Sequence, residues 1–130
     1  MSTETVQKIV IAADHGGFDL KEDIKTFTFE NLNIKWIDLG THSTESVDYP
    51  EYGKKAADAL KAGEATKAVI LCGSGIGISI AANRYPHVRA ALCTSVEMAK
   101  LARQHNDANI IALGARITPR DTAFQCVETF

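Results

Sequence analysis

Five short apolar runs punctuate the chain, at Ile9–Ala13, Ile34–Leu39, Ala68–Cys72, Val88–Cys93 and Asn109–Leu113. Each is nearly continuous rather than alternating, the pattern of a strand covered on both faces. The stretches between them carry apolar residues at helical spacing. Leu20, Ile24 and Phe27 fall on one face after the first run, and Tyr52, Ala56, Ala59 and Leu60 on one stripe after the second, with Gly63 placed to stop that helix. After the fourth run, Thr94-x-x-Glu97 reads as a capping box opening a helix whose apolar face is Met98, Leu101 and Ala102. Thr118-Pro119 supplies an N-cap and a proline for the first turn of a last helix, with Ala123, Val127 and Phe130 buried. Strands alternating with helices predict a three-layer α/β/α domain around a five-stranded parallel sheet.

Composition narrows the class without changing the fold. One hundred and thirty residues make a single domain, residues 1–130. With 14 Lys and Arg against 16 Asp and Glu, the whole chain has no charge bias toward nucleic acid or anionic membranes. No apolar run is long enough to span a bilayer. Cys72, Cys93 and Cys126 are an odd number at wide spacing, which speaks against a disulfide framework or a zinc site and for a reducing cytoplasm. The last helix reaches Phe130 on its own apolar stripe without a glycine cap, a basic last turn or a polar tail, so the chain reads as cut there.

Ligands of open parallel sheets sit outside the carboxyl ends of the strands, so the residues following each strand are the candidates. Asp14-His15-Gly16-Gly17 follows the first, Cys72-Gly73-Ser74-Gly75-Ile76-Gly77 the third and Gly114-Ala115-Arg116 the fifth, all on one rim. Glycines at 73, 75 and 77 let backbone amides turn inward ahead of a helix N-terminus, which suits an oxyanion or a phosphate. The spacing is neither a dinucleotide fingerprint, since Ile78 stands where the third glycine would be, nor a Walker loop; the plain alternative is a tight turn without a ligand. Cys72 beside that helix start is a base or nucleophile, or else a small buried hydrophobe. Asp14 and His15 together can move protons near neutral pH; the alternative is a helix-capping carboxylate and a solvated imidazole. His105 continues the Met98–Leu101 stripe as an interior histidine, or it is catalytic. Being at the far end of its helix, a catalytic His105 must serve a second subunit. His42 and His87 read as solvated loop residues, and Cys93 and Cys126 as packing.

Taken together, Asp14-His15-Gly16, Asp48-Tyr49-Pro50, the Cys72–Gly77 loop with Ile80-Ala81-Ala82-Asn83, Arg89-Ala90-Ala91 and Arg103-Gln104-His105-Asn106-Asp107-Ala108-Asn109 resemble the ribose-5-phosphate isomerase B family, in order, from Lys8 to about Phe130. The resemblance implies an aldose–ketose isomerase acting on ribose 5-phosphate and ribulose 5-phosphate with no metal or cofactor. It also implies a cytoplasmic homodimer with active sites shared across the interface, in some members paired into a tetramer. Cys72 would be the proton-carrying base, and the amides of Gly73, Gly75, Ile76 and Gly77 with the Ser74 hydroxyl would hold the enediolate oxygen. His105 would open the sugar ring with Asp14 nearby. His15, Tyr49, Asn106 and Arg116 would bind hydroxyls or phosphate. One branch of the family uses a glutamate just after the glycine loop; Ile78 stands there, which places this chain with the cysteine branch. Members continue into a tail bearing phosphate-gripping arginines, which residues 1–130 are expected to lack. Galactose 6-phosphate and allose 6-phosphate remain alternative substrates. A non-catalytic phosphosugar-binding domain and a hydrolase built on Cys72 and His105 are the competing functions.

Overall fold

The computed structural model describes residues 6–30 and 32–130. Five parallel strands run in the order β2-β1-β3-β5-β4. They are β1 (Gln7–Ala13), β2 (Ile34–Asp38), β3 (Lys67–Cys72), β4 (Ala90–Leu92) and β5 (Ile110–Gly114). The helices are α1 (Phe18–Thr26), α2 (Tyr49–Lys61), α3 (Ile76–Asn83), α4 (Val96–His105) and α5 (Arg120–Thr129). Alternate residues of β1 divide the core. Ile9, Ile11 and Ala13 pack with α1, α4 and α5, whereas Val10 and Ala12 pack with α2 and α3. The three-layer α/β/α sandwich with a five-stranded parallel sheet is therefore the architecture observed.

Several local expectations need correction. α4 is capped by Ser95, whose hydroxyl accepts the Met98 N–H at 3.2 Å, rather than by Thr94, whose hydroxyl meets the Met98 sulfur. The helix consequently buries Ala99 and Ala102, while Met98 and Leu101 are each 40% exposed and His105 is exposed. Small side chains serve there because α4 lies close against both the sheet and α5. Phe27 sits just past α1, 42% exposed, and stacks on Phe124 with centroids 4.2 Å apart instead of entering the core. Thr118 does not cap α5: Pro119 occupies the cap, and the buried Thr118 hydroxyl has no partner. The turn that follows β5 is closed by the Thr118 N–H on Gly114 O (2.8 Å), which holds Thr118 against the sheet. His87 is not free either, since its Nε2 lies 2.7 Å from Ala57 O.

The end of α2 follows expectation. Gly63, at φ +79°, lets its own N–H reach Leu60 O and that of Glu64 reach Ala59 O, the double bond that closes a helix on a left-handed residue.

Beneath the carboxyl rim lies a charge cluster that the hydropathy pattern does not announce. Lys21 is fully buried and donates to Asp38 Oδ2 and Glu22 Oε2, each at 2.7 Å. Lys25 donates to the same two carboxylates at 2.7 and 3.2 Å. Asp38 ends β2, and its Oδ1 accepts the Gly40 N–H at 2.8 Å. Burial by itself would raise the Asp38 carboxyl, but the two ammonium donors and the Gly40 amide outweigh it and hold the pKa down at about 2.

Candidate active site

Strand order decides what meets on the carboxyl rim. β1 and β3 are neighbours and so are β3 and β5, with Ala13 opposite Leu71 and Cys72 opposite Gly114. The order in which successive strands are added to the sheet reverses at β1/β3, the kind of crevice where ligands of open parallel sheets lie. Asp14 follows Ala13 and donates its own N–H to Leu71 O, which brings it beside Cys72. Arg116 returns from β5 to donate its N–H to Gly73 O at 2.9 Å. A cavity of about 350 Å³ opens there, lined by Asp14, Tyr49, Cys72, Gly73, Ser74, Gly77, Arg116 and Ile117.

The loop between β3 and α3 is shaped by what its glycines touch. Gly75 takes φ +79°. Its N–H donates to the Cys72 sulfur at 3.1 Å, so an amide is in place for negative charge on that sulfur. A Cβ at Gly73 would lie 3.1 Å from Arg116 Nη1, and one at Gly77 would lie 2.8 Å from the Tyr49 ring. The absent side chains therefore let a guanidinium and a phenol approach the loop backbone from two sides. Ser74 Oγ accepts the Ile76 N–H at 3.2 Å. The first-turn amides of α3, with no carbonyl one turn earlier to bond, add partial positive charge beside the cavity.

Asp14 caps a turn and faces the cavity at once. Its Oδ1 accepts the N–H groups of Gly16 (2.9 Å) and Gly17 (3.1 Å), capping the turn into α1, and the buried side chain also lines the cavity. His15 Nδ1 faces Val47, 3.0 Å from its N and 3.1 Å from its O. With the ring proton on Nε2, Nδ1 accepts the Val47 amide; with it on Nδ1, the ring donates to the carbonyl.

Seven of the expected residues thus line one cavity: Asp14, Tyr49, Cys72, Gly73, Ser74, Gly77 and Arg116. His15, Gly75 and Ile76 lie in the adjoining turns and do not line it; Gly75 is buried and Ile76 is turned outward, 52% exposed. His105 and Asn106 end α4, which starts after β4 and delivers the chain to the start of β5, on the opposite rim. They do not meet Cys72 within one chain. Ile117 and the Val47 anchor went unnoticed in the sequence. An apolar residue in a turn and a backbone group leave no pattern to find, although Ile117 follows directly on Arg116. Among the described residues no three His, Cys, Asp or Glu side chains gather as a metal site would require, and no helix is long and apolar enough to cross a membrane.

Comparison with known proteins agrees with this geometry. Over 95% of the chain superposes on the ribose-5-phosphate isomerase B of Clostridium thermocellum, with a TM-score of 0.90 and 50% identity, covering 82% of that protein. The corresponding enzyme of Thermotoga maritima matches 95% of this chain and 85% of its own, at a TM-score of 0.90 and 49% identity. Ribose-5-phosphate isomerase B of Escherichia coli is 40% identical over 125 residues, 96% of this chain and 83% of that protein. The family model described as Ribose/Galactose Isomerase matches residues 9–130. A match that runs from β1 to the end of α5, through every loop that builds the rim, makes the chain a member of the ribose/galactose isomerase family.

Proposed function

We propose that the chain interconverts ribose 5-phosphate and ribulose 5-phosphate, with Cys72 as the base. The observation that carries this reading is the meeting of Asp14, Cys72 and Arg116 around one cavity bordered by the glycine-loop amides. In the open-chain aldose, the Cys72 thiolate takes the proton from C2, and the C1 carbonyl oxygen becomes an enediolate oxygen. The loop amides and the Ser74 hydroxyl stabilise that oxygen. The Cys72 thiol, its proton exchanging with solvent, delivers a proton to C1, and the hydroxyl proton on O2 passes to O1, which leaves the ketose. Arg116 receives the phosphate, with Tyr49 and His15, and Asn106 of a second copy, on hydroxyls.

Ring opening falls to His105 of a second copy, because His105 and Asn106 end α4 on the rim away from Cys72. The active unit in this reading is a homodimer with shared sites, and pairing of dimers into a tetramer is compatible with it. Ile76 and Ile80, 52% and 61% exposed one helical turn apart beside the cavity, are the apolar surface that such a partner would cover. Three free thiols suit a reducing compartment, and we assign the protein to the cytoplasm.

Incubation with ribose 5-phosphate in D₂O tests the reading. The wild-type chain places deuterium at C1 of the ketose, and Cys72→Ala lowers turnover by at least about 100-fold while the fold persists. Full turnover in that variant refutes the mechanism, and a faster reaction on galactose 6-phosphate shifts the assignment to the other sugar in the family's description. Mixing Cys72→Ala with His105→Asn restores about a quarter of the activity if sites are shared in a randomly paired dimer, and none if they are not.

A further inference from the structure

Tyr49 lines the Cys72 cavity from the first turn of α2, and little of that turn is packed. Tyr49, Pro50 and Glu51 are exposed, and Tyr52 is the first residue of the helix to be buried. Asp48, in the cap position, makes no side-chain bond to the free amides of the first turn. Before it, residues 42–46 are exposed. Among the described residues, the segment from His42 to Val47 has one hydrogen-bonded tie to the rest of the chain, and that tie is the His15 ring.

His15 itself belongs to the turn after β1, which is held far more firmly. The Asp14 N–H bonds Leu71 O, and Asp14 Oδ1 takes the Gly16 and Gly17 amides on either side of the turn. From that fixed base, His15 Nδ1 reaches Val47, 3.0 Å from its nitrogen and 3.1 Å from its oxygen, 32 positions along the chain. Asp48 alone separates Val47 from Tyr49, and its backbone is extended (φ −89°, ψ 125°), so a shift of Val47 is passed to the start of α2. The Tyr49 ring lies close over the Gly77 backbone, where it borders the cavity. The first turn of α2 thus takes its place from the loop before it, and the loop takes its place from an imidazole.

We propose that His15 is a positioning residue: through Val47 it fixes the loop between β2 and α2 and holds the Tyr49 phenol at the Cys72 cavity, leaving Nε2 as the ring nitrogen free for the sugar. What Tyr49 then contributes to turnover rests on the isomerase reading, whereas the anchor is a property of the chain without substrate. Two conservative variants separate the ring nitrogens. Asparagine carries its amide atoms one bond beyond Cγ, where Nδ1 stands, and glutamine carries them a bond further out, toward the place of Nε2. Hydrogen exchange of the Val47 amide, followed by NMR, should be as slow in His15→Asn as in the wild type and about tenfold faster in His15→Gln and His15→Ala. Turnover of ribose 5-phosphate reads the coupling to the site. Tyr49→Phe should lower kcat/KM by about tenfold in the wild-type and His15→Asn backgrounds. In the His15→Ala background it should lower it by less than about twofold, because the phenol is no longer held there. A Val47 amide that exchanges equally fast in all four proteins overturns the anchor. Equal Tyr49→Phe losses in the wild-type and His15→Ala backgrounds overturn the coupling and leave the two residues as separate contacts. A wild-type chain that does not turn over ribose 5-phosphate sinks the isomerase reading, and the exchange measurement still decides the anchor.

Discussion

Replacing Asp38 with Asn removes the charge that Lys21 and Lys25 share while keeping an oxygen for the Gly40 amide. Folding lowers the Asp38 carboxyl from 3.8 to about 2. A carboxyl depressed on folding contributes stability that is fully present above its unfolded value and is lost as pH falls through the folded one. That lowering corresponds to about 2 kcal/mol at pH 7. Nearly all of it is still present at pH 4, about half at pH 3 and little at pH 2. Lys21 has no exposed surface, and in the variant only Glu22, 42% exposed, remains to meet its charge. The neutral-pH cost should therefore reach about 2–4 kcal/mol. Urea unfolding of both proteins from pH 7 to pH 3 gives the gap directly. It should hold nearly constant down to pH 4 and close by about 1 kcal/mol between pH 4 and pH 3. A gap that stays level across that last interval would refute the argument, because the cost would then be one of packing and not of charge.

Other substitutions test the close approaches and caps. Gly17→Ala places a Cβ 2.8 Å from the Leu71 carbonyl, which the sheet holds in place, and should cost about 1–3 kcal/mol in chemical denaturation. Gly77→Ala meets only the half-exposed Tyr49 ring and should leave the denaturation midpoint nearly unchanged; equal losses at the two positions would contradict this reading. Ser95→Ala should cost about 1 kcal/mol and Thr94→Val much less, a difference that disappears if the cap is really at Thr94. Burial pushes the Cys93 thiol up to about 11, with Cys126 nearby adding to it, and burial raises Cys126 as well. Iodoacetamide at pH 8 should therefore label Cys72, which lines an open cavity, and spare the other two, as peptide mass mapping would show; native-state labelling of Cys93 would count against this core.

What could be read from the sequence is what depends on one dimension. A strand buried on both faces must be apolar throughout, and chemistry at the rim of a parallel sheet must follow strand ends, so the strands and the residues after β1, β3 and β5 could be found without coordinates. Facts that need two or three dimensions escaped. Met98 and Leu101 have the hydrophobicity of a core stripe, yet Ala99 and Ala102, one residue along, are the ones that α4 buries in the core shared with α5. Thr94 and Ser95 are both capping residues, and only the backbone decides between them. Lys21 and Asp38 are seventeen positions apart and look like two solvated charges until α1 is laid over the end of β2. The same reasoning explains His105. Its type and its place at a helix end mark it as chemistry, but α4 carries it to the rim that Cys72 does not share. Within one chain, its position accounts for the exposed ring and not for a function. In the dimer proposed above, a second copy turns its own α4 toward the glycine loop, and Ile76 and Ile80, exposed on the helix beside the cavity, are the apolar pair it would cover.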